Sequence, residues 1–127
     1  MKKTRAIVCV ILLLILVILA FIFLNPLRRS REAINQELAN VTPIGISYFE
    51  AAEKLQARFG NIKKNEKTGF FLQEIAHQEV IGTKSIQVHL GDYYHFPIGI
   101  TSVEAFWGFD DAGKLIRIWV WKTTDSI

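Results

Sequence analysis

One cysteine, Cys9, stands among 127 residues, so no intramolecular disulfide can staple this chain and a disulfide scaffold is excluded. Proline is scarce, at three, and glycine modest, at eight, which excludes a collagen-like or Pro/Gly-rich disordered chain. G-x-S-x-G and Gly-rich phosphate loops are both missing, so the sequence carries no serine-hydrolase or P-loop signature. There is one long hydrophobic run, which excludes a polytopic transporter, and the length excludes a multidomain enzyme. Acids are absent from residues 1–29, which carry five basic side chains and a charge of +5. Residues 30–127 carry ten basic and twelve acidic side chains, or −2. The pI near 9.1 therefore comes from the flanks of the apolar run. The remaining residues have no basic excess, so nucleic acid is not an expected partner.

The chain is half hydrophobic, with a mean hydropathy of +0.24. Most of the excess lies in Ala6 to Leu24, AIVCVILLLILVILAFIFL, 19 residues with no charge, amide or proline. As a helix it would extend about 28 Å, close to the roughly 30 Å of bilayer hydrocarbon. Sixteen of the 19 are Leu, Ile, Val or Phe, favouring insertion by roughly 5–10 kcal/mol as an upper bound. A cleaved signal peptide is the rival reading, with MKKTR as its basic start. The run is too long for that, and FIFLNPLRR offers no small-x-small cleavage site. Cys9 has no hydrophobic stretch before it, so a lipoprotein is not expected, and it reads as a small apolar residue in the bilayer. Lys2, Lys3 and Arg5 with the amino terminus nearly balance Arg28, Arg29 and Arg31. A long C-terminal domain can be exported largely regardless of charge, so residues 1–5 are expected to be a cytoplasmic tail and the C-terminal domain to lie outside.

Asn25-Pro26 pairs an N-cap with a first-turn proline. The helix expected to follow, LRRSREAINQELAN, has only Leu27, Ile34 and Leu38 as large apolar residues, so residues 25–44 read as a juxtamembrane spacer. Ser47 and Glu50 form a capping box, and Tyr48, Ala52, Leu55 and Phe59 make one apolar stripe ended by Gly60. NIKKNEKTG reads as a polar loop. Residues 70–81, FFLQEIAHQEVI, fit helix or strand, and strand is preferred. SIQVHL alternates as a strand, and GDYYHFPIGI reads as a loop.

SVEAFWGF and KLIRIWVW flank D-D-A-G, a type I turn followed by a left-handed Gly113. Strict alternation from that turn sets Phe109 against Leu115, Trp107 against Arg117, Ala105 against Trp119 and Val103 against Trp121. On the other face Phe106 meets Ile118, Gly108 meets Ile116 and Glu104 meets Val120. Residues 45–127 are thus expected to be an extracytoplasmic α+β domain. One amphipathic helix would pack on a three- to four-stranded antiparallel sheet, behind a single N-terminal transmembrane helix over residues 6–24.

His77, His89 and His95, with Asp92 and Glu79, are the only plausible metal ligands. His89-x-x-Asp92-x-x-His95 could present three of them from a strand end and its loop. The alternative is surface or hydrogen-bonded histidines, and neither metal nor other cofactor is expected. Glu74 and Glu79 do not make a catalytic pair by spacing, Asp110 and Asp111 have turn chemistry as a sufficient cause, and no catalytic residue is assigned. The aromatic residues are more distinctive. Trp107, Trp119 and Trp121 all lie in the last hairpin, and in the expected register Trp107 and Trp119 share a face with Arg117. A guanidinium is rarely buried unpaired. That face is therefore expected to be at least partly exposed, while Phe106, Ile116, Ile118 and Val120 face the helix. Trp107, Arg117 and Trp119 are candidate binding residues, and the loop residues Tyr93 and Tyr94 a second aromatic candidate. The alternative for the three tryptophans is plain core packing.

At SIQVHLGDYY and TSVEAFWGFDDAGKLIRIWVWKTTDSI the sequence resembles a group of small bacterial membrane-anchored proteins without an assigned activity, over roughly residues 45–127. The helix opening at G-x-S and the F-D-x-x-G-K-L hairpin also look like small envelope domains of outer-membrane assembly lipoproteins, although this chain lacks a lipidation cysteine after its apolar run. These likenesses imply a fold rather than an activity. The expectation is a single-pass protein of the bacterial inner membrane. It would present a non-catalytic interaction domain to another envelope protein, with the lipid bilayer as its other partner. The alternative is a metal-dependent or otherwise unrecognised envelope enzyme using His77, His89, Asp92 and His95.

Overall fold

The computed structural model describes residues 1–74 and 77–125, with side chains at all of these except Ile22, Phe23, Gln73, Glu74 and His77. The apolar run forms helix α1, Lys2–Phe23. Its stretch Lys2–Phe21 is long and apolar enough to cross a membrane and is not buried against the rest of the chain. Asn25 Oδ1 accepts the Leu27 N–H at 3.0 Å and starts a 3₁₀ turn, Pro26–Arg28. Ser30 Oγ then accepts from Ala33 N at 3.1 Å and caps helix α2, Arg31–Val41. Ile34 and Leu38, one turn apart, are both buried, and Asn35 Nδ2 donates to the Ile118 carbonyl at 2.8 Å. The expected spacer is therefore corrected: two apolar residues and one amide suffice to dock α2 on the sheet.

Helix α3, Tyr48–Phe59, begins at Ser47, whose hydroxyl accepts from Glu50 N, and ends at Gly60 with φ +78. Its stripe is the expected one, with Tyr48, Ala52 and Leu55 buried and Phe59 half-buried. The Tyr48 hydroxyl is buried with no hydrogen-bonding partner among the described residues, and burial pushes its pKa up, with a further push from Glu66. A buried hydroxyl without a partner costs about 1–3 kcal/mol. Tyr48→Phe is accordingly expected to leave thermal stability unchanged or raise it by up to about 1 kcal/mol. A lower melting temperature would show that the hydroxyl has a partner.

Among the described residues six strands follow: β1 Lys63–Asn65, β2 Phe70–Glu74, β3 His77–Ile81, β4 Lys84–Tyr94, β5 Ile100–Phe109 and β6 Leu115–Asp125. Strands β1-β4-β5-β6 form a four-stranded antiparallel sheet in that order, and β2 and β3 pair as a separate hairpin. The preference for strand over residues 70–81 holds for β2 and β3, while Ile75 and Ala76 lie outside the described residues. β4 runs on to Tyr94, four residues beyond the expected strand. It passes a bulge between His89 and Gly91, and Gly91, at φ +144, supplies the backbone geometry that lets pairing resume opposite Val103.

The core lies between the helices and the inner face of the sheet. Ile86 and Val88 of β4, Val103, Ala105, Trp107 and Phe109 of β5, and Leu115, Ile118 and Val120 of β6 are all buried there against α2 and α3. The β2–β3 hairpin covers part of the outer face, where Phe70, Leu72 and Ile81 meet Phe106 and Trp119. Gly108 makes that approach possible, since a Cβ there would lie 2.8 Å from Ile81 Cγ2 and 2.9 Å from Phe70 Cε1.

The last hairpin corrects the expected register. Its turn is as read: Gly113 has φ +77 and donates to the Asp110 carbonyl, and Phe109 faces Leu115. One residue later β6 bulges, so Gly108 pairs with Arg117, Trp107 with Ile118, Phe106 with Trp119 and Glu104 with Trp121. Trp107 therefore lies on the helix side. Phe106 lies on the outer face, and Ile116, the inserted residue, is exposed.

Candidate aromatic groove

The bulge sorts the hairpin's chemistry. Beyond it Glu104 and Phe106 share the outer face with Arg117, Trp119 and Trp121, as the pairs Phe106–Trp119 and Glu104–Trp121. Trp119 and Trp121, two residues apart on β6, stack with ring centroids 6.3 Å apart and planes 26° apart. The hairpin stands over one side of this face, with Phe70 tilted against Phe106 at 5.7 Å. Between hairpin and sheet runs a groove of about 620 Å³. Its apolar walls are Phe70, Phe71, Phe106, Trp119 and Trp121, its floor includes Gln87 and Glu104, and Lys63 and Lys64 of β1 line its edge. Gln87 Nε2 donates to Glu104 Oε2 at 3.1 Å, which fixes the carboxylate in the floor. Around the rim of Trp119 stand two guanidinium groups, Arg31 at 5.4 Å and Arg117 at 5.6 Å from the ring centroid. They form cation–π contacts of the partly exposed kind, worth about 0.5–1 kcal/mol each.

Trp119 and Arg117 thus stand together on the outer face, as expected, but Trp107 does not join them. Its ring is fully buried, and its Nε1 donates to Thr42 Oγ1 at 2.9 Å, out of reach of any partner. Tyr93 is also held, between Arg28 at 5.0 Å and Lys122 at 5.1 Å from its ring, whereas Tyr94 is exposed. Sequence reasoning missed Phe70, Phe71, Gln87, Glu104, Lys63 and Lys64 as groove residues. The signal was there for Gln87 and Glu104, which alternate with the buried residues of β4 and β5.

His89 forms two pairs with carboxylates. Its Nε2 lies 3.4 Å from Asp92 Oδ1 and its Nδ1 3.7 Å from Glu104 Oε1. The Asp92 carboxyl is held below the usual carboxylate range, first by a hydrogen bond from Ser102 and then by His89. His95 sits in the β4–β5 loop, where its N–H donates to the Gly99 carbonyl. Among the described residues, no three His, Cys, Asp or Glu side chains converge as a metal-binding group. The side chain of His77 lies outside the described set.

A second electrostatic knot ties the start of the domain together. Glu37 of α2 pairs with Arg29, and with Arg58 of α3 at 3.1 Å, and these partners, Arg29 first, hold its carboxyl below the usual range. Lys122 Nζ donates to the carbonyls of Leu27 at 2.8 Å and Arg29 at 2.6 Å. The segment that leaves α1 is thereby fastened to β6.

The fold and groove define an α+β domain with a helix-backed sheet and an outer aromatic cleft, preceded by a helix able to cross a membrane. No known protein family, curated protein or solved structure matches the chain. Its functional reading rests on the geometry.

Proposed function

We propose that this is a single-pass, non-catalytic binding protein of the bacterial envelope, whose aromatic groove takes a segment of another envelope protein. In this reading α1 spans the inner membrane, Lys2, Lys3 and Arg5 stay inside, and the α+β domain stands outside. The observation that carries it is the stacked Trp119–Trp121 pair lining the groove between sheet and hairpin. Its volume falls within the roughly 300–1,000 Å³ of ligand clefts. Stacked indoles, three phenylalanines, a lysine edge and a carboxylate floor suit a peptide with an apolar side chain beside polar groups. Tryptophan and arginine are also the side chains that most often dominate protein interfaces.

Photo-crosslinking from Phe71 in the full-length protein in cells tests this. A specific protein adduct is expected, reduced several-fold by Trp121→Ala. That variant should keep its fold to within about 1.5 kcal/mol, the upper worth of one aromatic pair. An adduct that Trp121→Ala leaves unchanged would sink the groove as the binding site. Orientation is checked separately by a reporter fused after Ile127 that matures only outside the cytoplasm. A reporter active only inside would reverse the topology.

A further inference from the structure

The geometry points to a second membrane contact: the tip of the β4–β5 loop, Tyr94 to Ile100, seats in the headgroup–acyl boundary of the bilayer that α1 crosses. This rests on the reading of α1 as a membrane-spanning helix. Tyr94, Phe96, Ile98 and Ile100 are 46%, 80%, 61% and 44% exposed. They fall at every second position of YYHFPIGI, a stretch with no acid, lysine or arginine. Exposed apolar side chains this dense along one short stretch mark an interaction surface.

Its place in the fold selects the lipid. The Arg28 guanidinium donates to the Tyr94 carbonyl and lies over the Tyr93 ring, and Lys122 approaches the same ring while holding the Leu27 and Arg29 carbonyls. The base of the loop is thus clamped to the chain just after α1. Arg28 is four residues beyond Leu24, where the apolar run ends, so the tip springs from beside the point at which the chain leaves the bilayer. Gly91 keeps this junction close, for a Cβ there would lie 2.8 Å from Leu27 Cδ1. Aromatic and branched apolar side chains flanked by cations are the composition of an interfacial anchor, and here Arg28 and Lys122 stand at the base of the loop. Asp125, opposite Ile100, marks the polar edge of the patch. Anchored at α1 and at this tip, the domain holds one posture on the membrane instead of swivelling about a tether.

The test uses the full-length protein in vesicles of equal parts phosphatidylcholine and phosphatidylglycerol. An environment-sensitive fluorophore is placed at Phe96→Cys in a Cys9→Ser background, at Phe49→Cys on the exposed side of α3 in the same background, or on native Cys9. The Phe96 label is expected to be quenched by spin-labelled lipid and to be several-fold less accessible to iodide than the Phe49 label. If the Phe96 label is as accessible as the Phe49 label while the Cys9 label is quenched by lipid, the loop contact is overturned and the anchor stands. If the Cys9 label is not quenched by lipid either, the membrane-spanning reading falls with it.

Discussion

Trp107→Ala is expected to cost the domain about 3–5 kcal/mol, the usual range for removing a buried tryptophan. The ring is 0% exposed and lies within the cluster formed by α2, α3 and the inner face of the sheet. Its Nε1 donates to Thr42 Oγ1, and that hydroxyl in turn donates to the Leu38 carbonyl at 2.9 Å. The substitution therefore opens a cavity and also frees a buried oxygen at the end of α2. Small domains are stable by roughly 5–15 kcal/mol in total, so about a fifth or more of the margin goes. At roughly 4–8 °C per kcal/mol, the melting temperature should fall by about 12 °C or more. Circular dichroism of the full chain in detergent reads this directly. Thr42→Val separates the hydrogen bond from the volume: it leaves the indole N–H buried without its acceptor and should cost about 1–3 kcal/mol. A melting curve that Trp107→Ala leaves in place would mean the ring is not core.

The same residue shows where reading the sequence stops. D-D-A-G encodes its turn correctly, and Phe109 faces Leu115 as strict alternation requires. Counting onward then fails at Ile116, because β6 carries one extra residue and every later side chain changes face. Apart from Arg117, LIRIWVW is apolar on both faces, so hydrophobic pattern alone cannot detect the slip. Charge could have. Strict alternation sets Glu104 beside Val120 on the helix-facing side and leaves an unpaired carboxylate in the core. In the bulged register Glu104 and Arg117 both lie on the outer face. A buried charge without a partner is the costlier error, and that comparison favours the bulge before any coordinates are known.

The groove was harder to foresee than the sheet that floors it. Ser47, Gly60, the α3 stripe and the apolar run of α1 are local signals, each carried by residues within a few turns. The groove instead depends on hairpin β2–β3 folding back over β5, a contact between segments about thirty residues apart. What permits it is the missing side chain of Gly108, and a glycine inside a strand does not say which neighbour approaches. The docking of α2 was obscured for a related reason. Ile34 and Leu38 look too few for a core helix until Asn35 and Thr42 are seen bonding to Ile118 and Trp107.

Leu55→Ala is expected to cost about 2–5 kcal/mol, toward the upper end. Leu55 is 0% exposed, and the buried neighbours on its own helix are Ala51 and Ala52. Neither alanine has a side chain that can swing into the space, so the cavity stays open, and residual cavity volume is what sets the cost within that range. Phe49 is the control. It is larger, and it lies in the first turn of the same helix, but it is 78% exposed, with its ring T-shaped to that of Tyr48. Phe49→Ala should therefore change stability by about 1 kcal/mol or less. A ranking by side-chain size would reverse the two results, whereas helical period puts Leu55 inside and Phe49 outside. Thermal denaturation of both variants of the full chain decides between them. Equal melting temperatures would mean that the Tyr48–Ala52–Leu55–Phe59 stripe is not what binds α3 to the sheet.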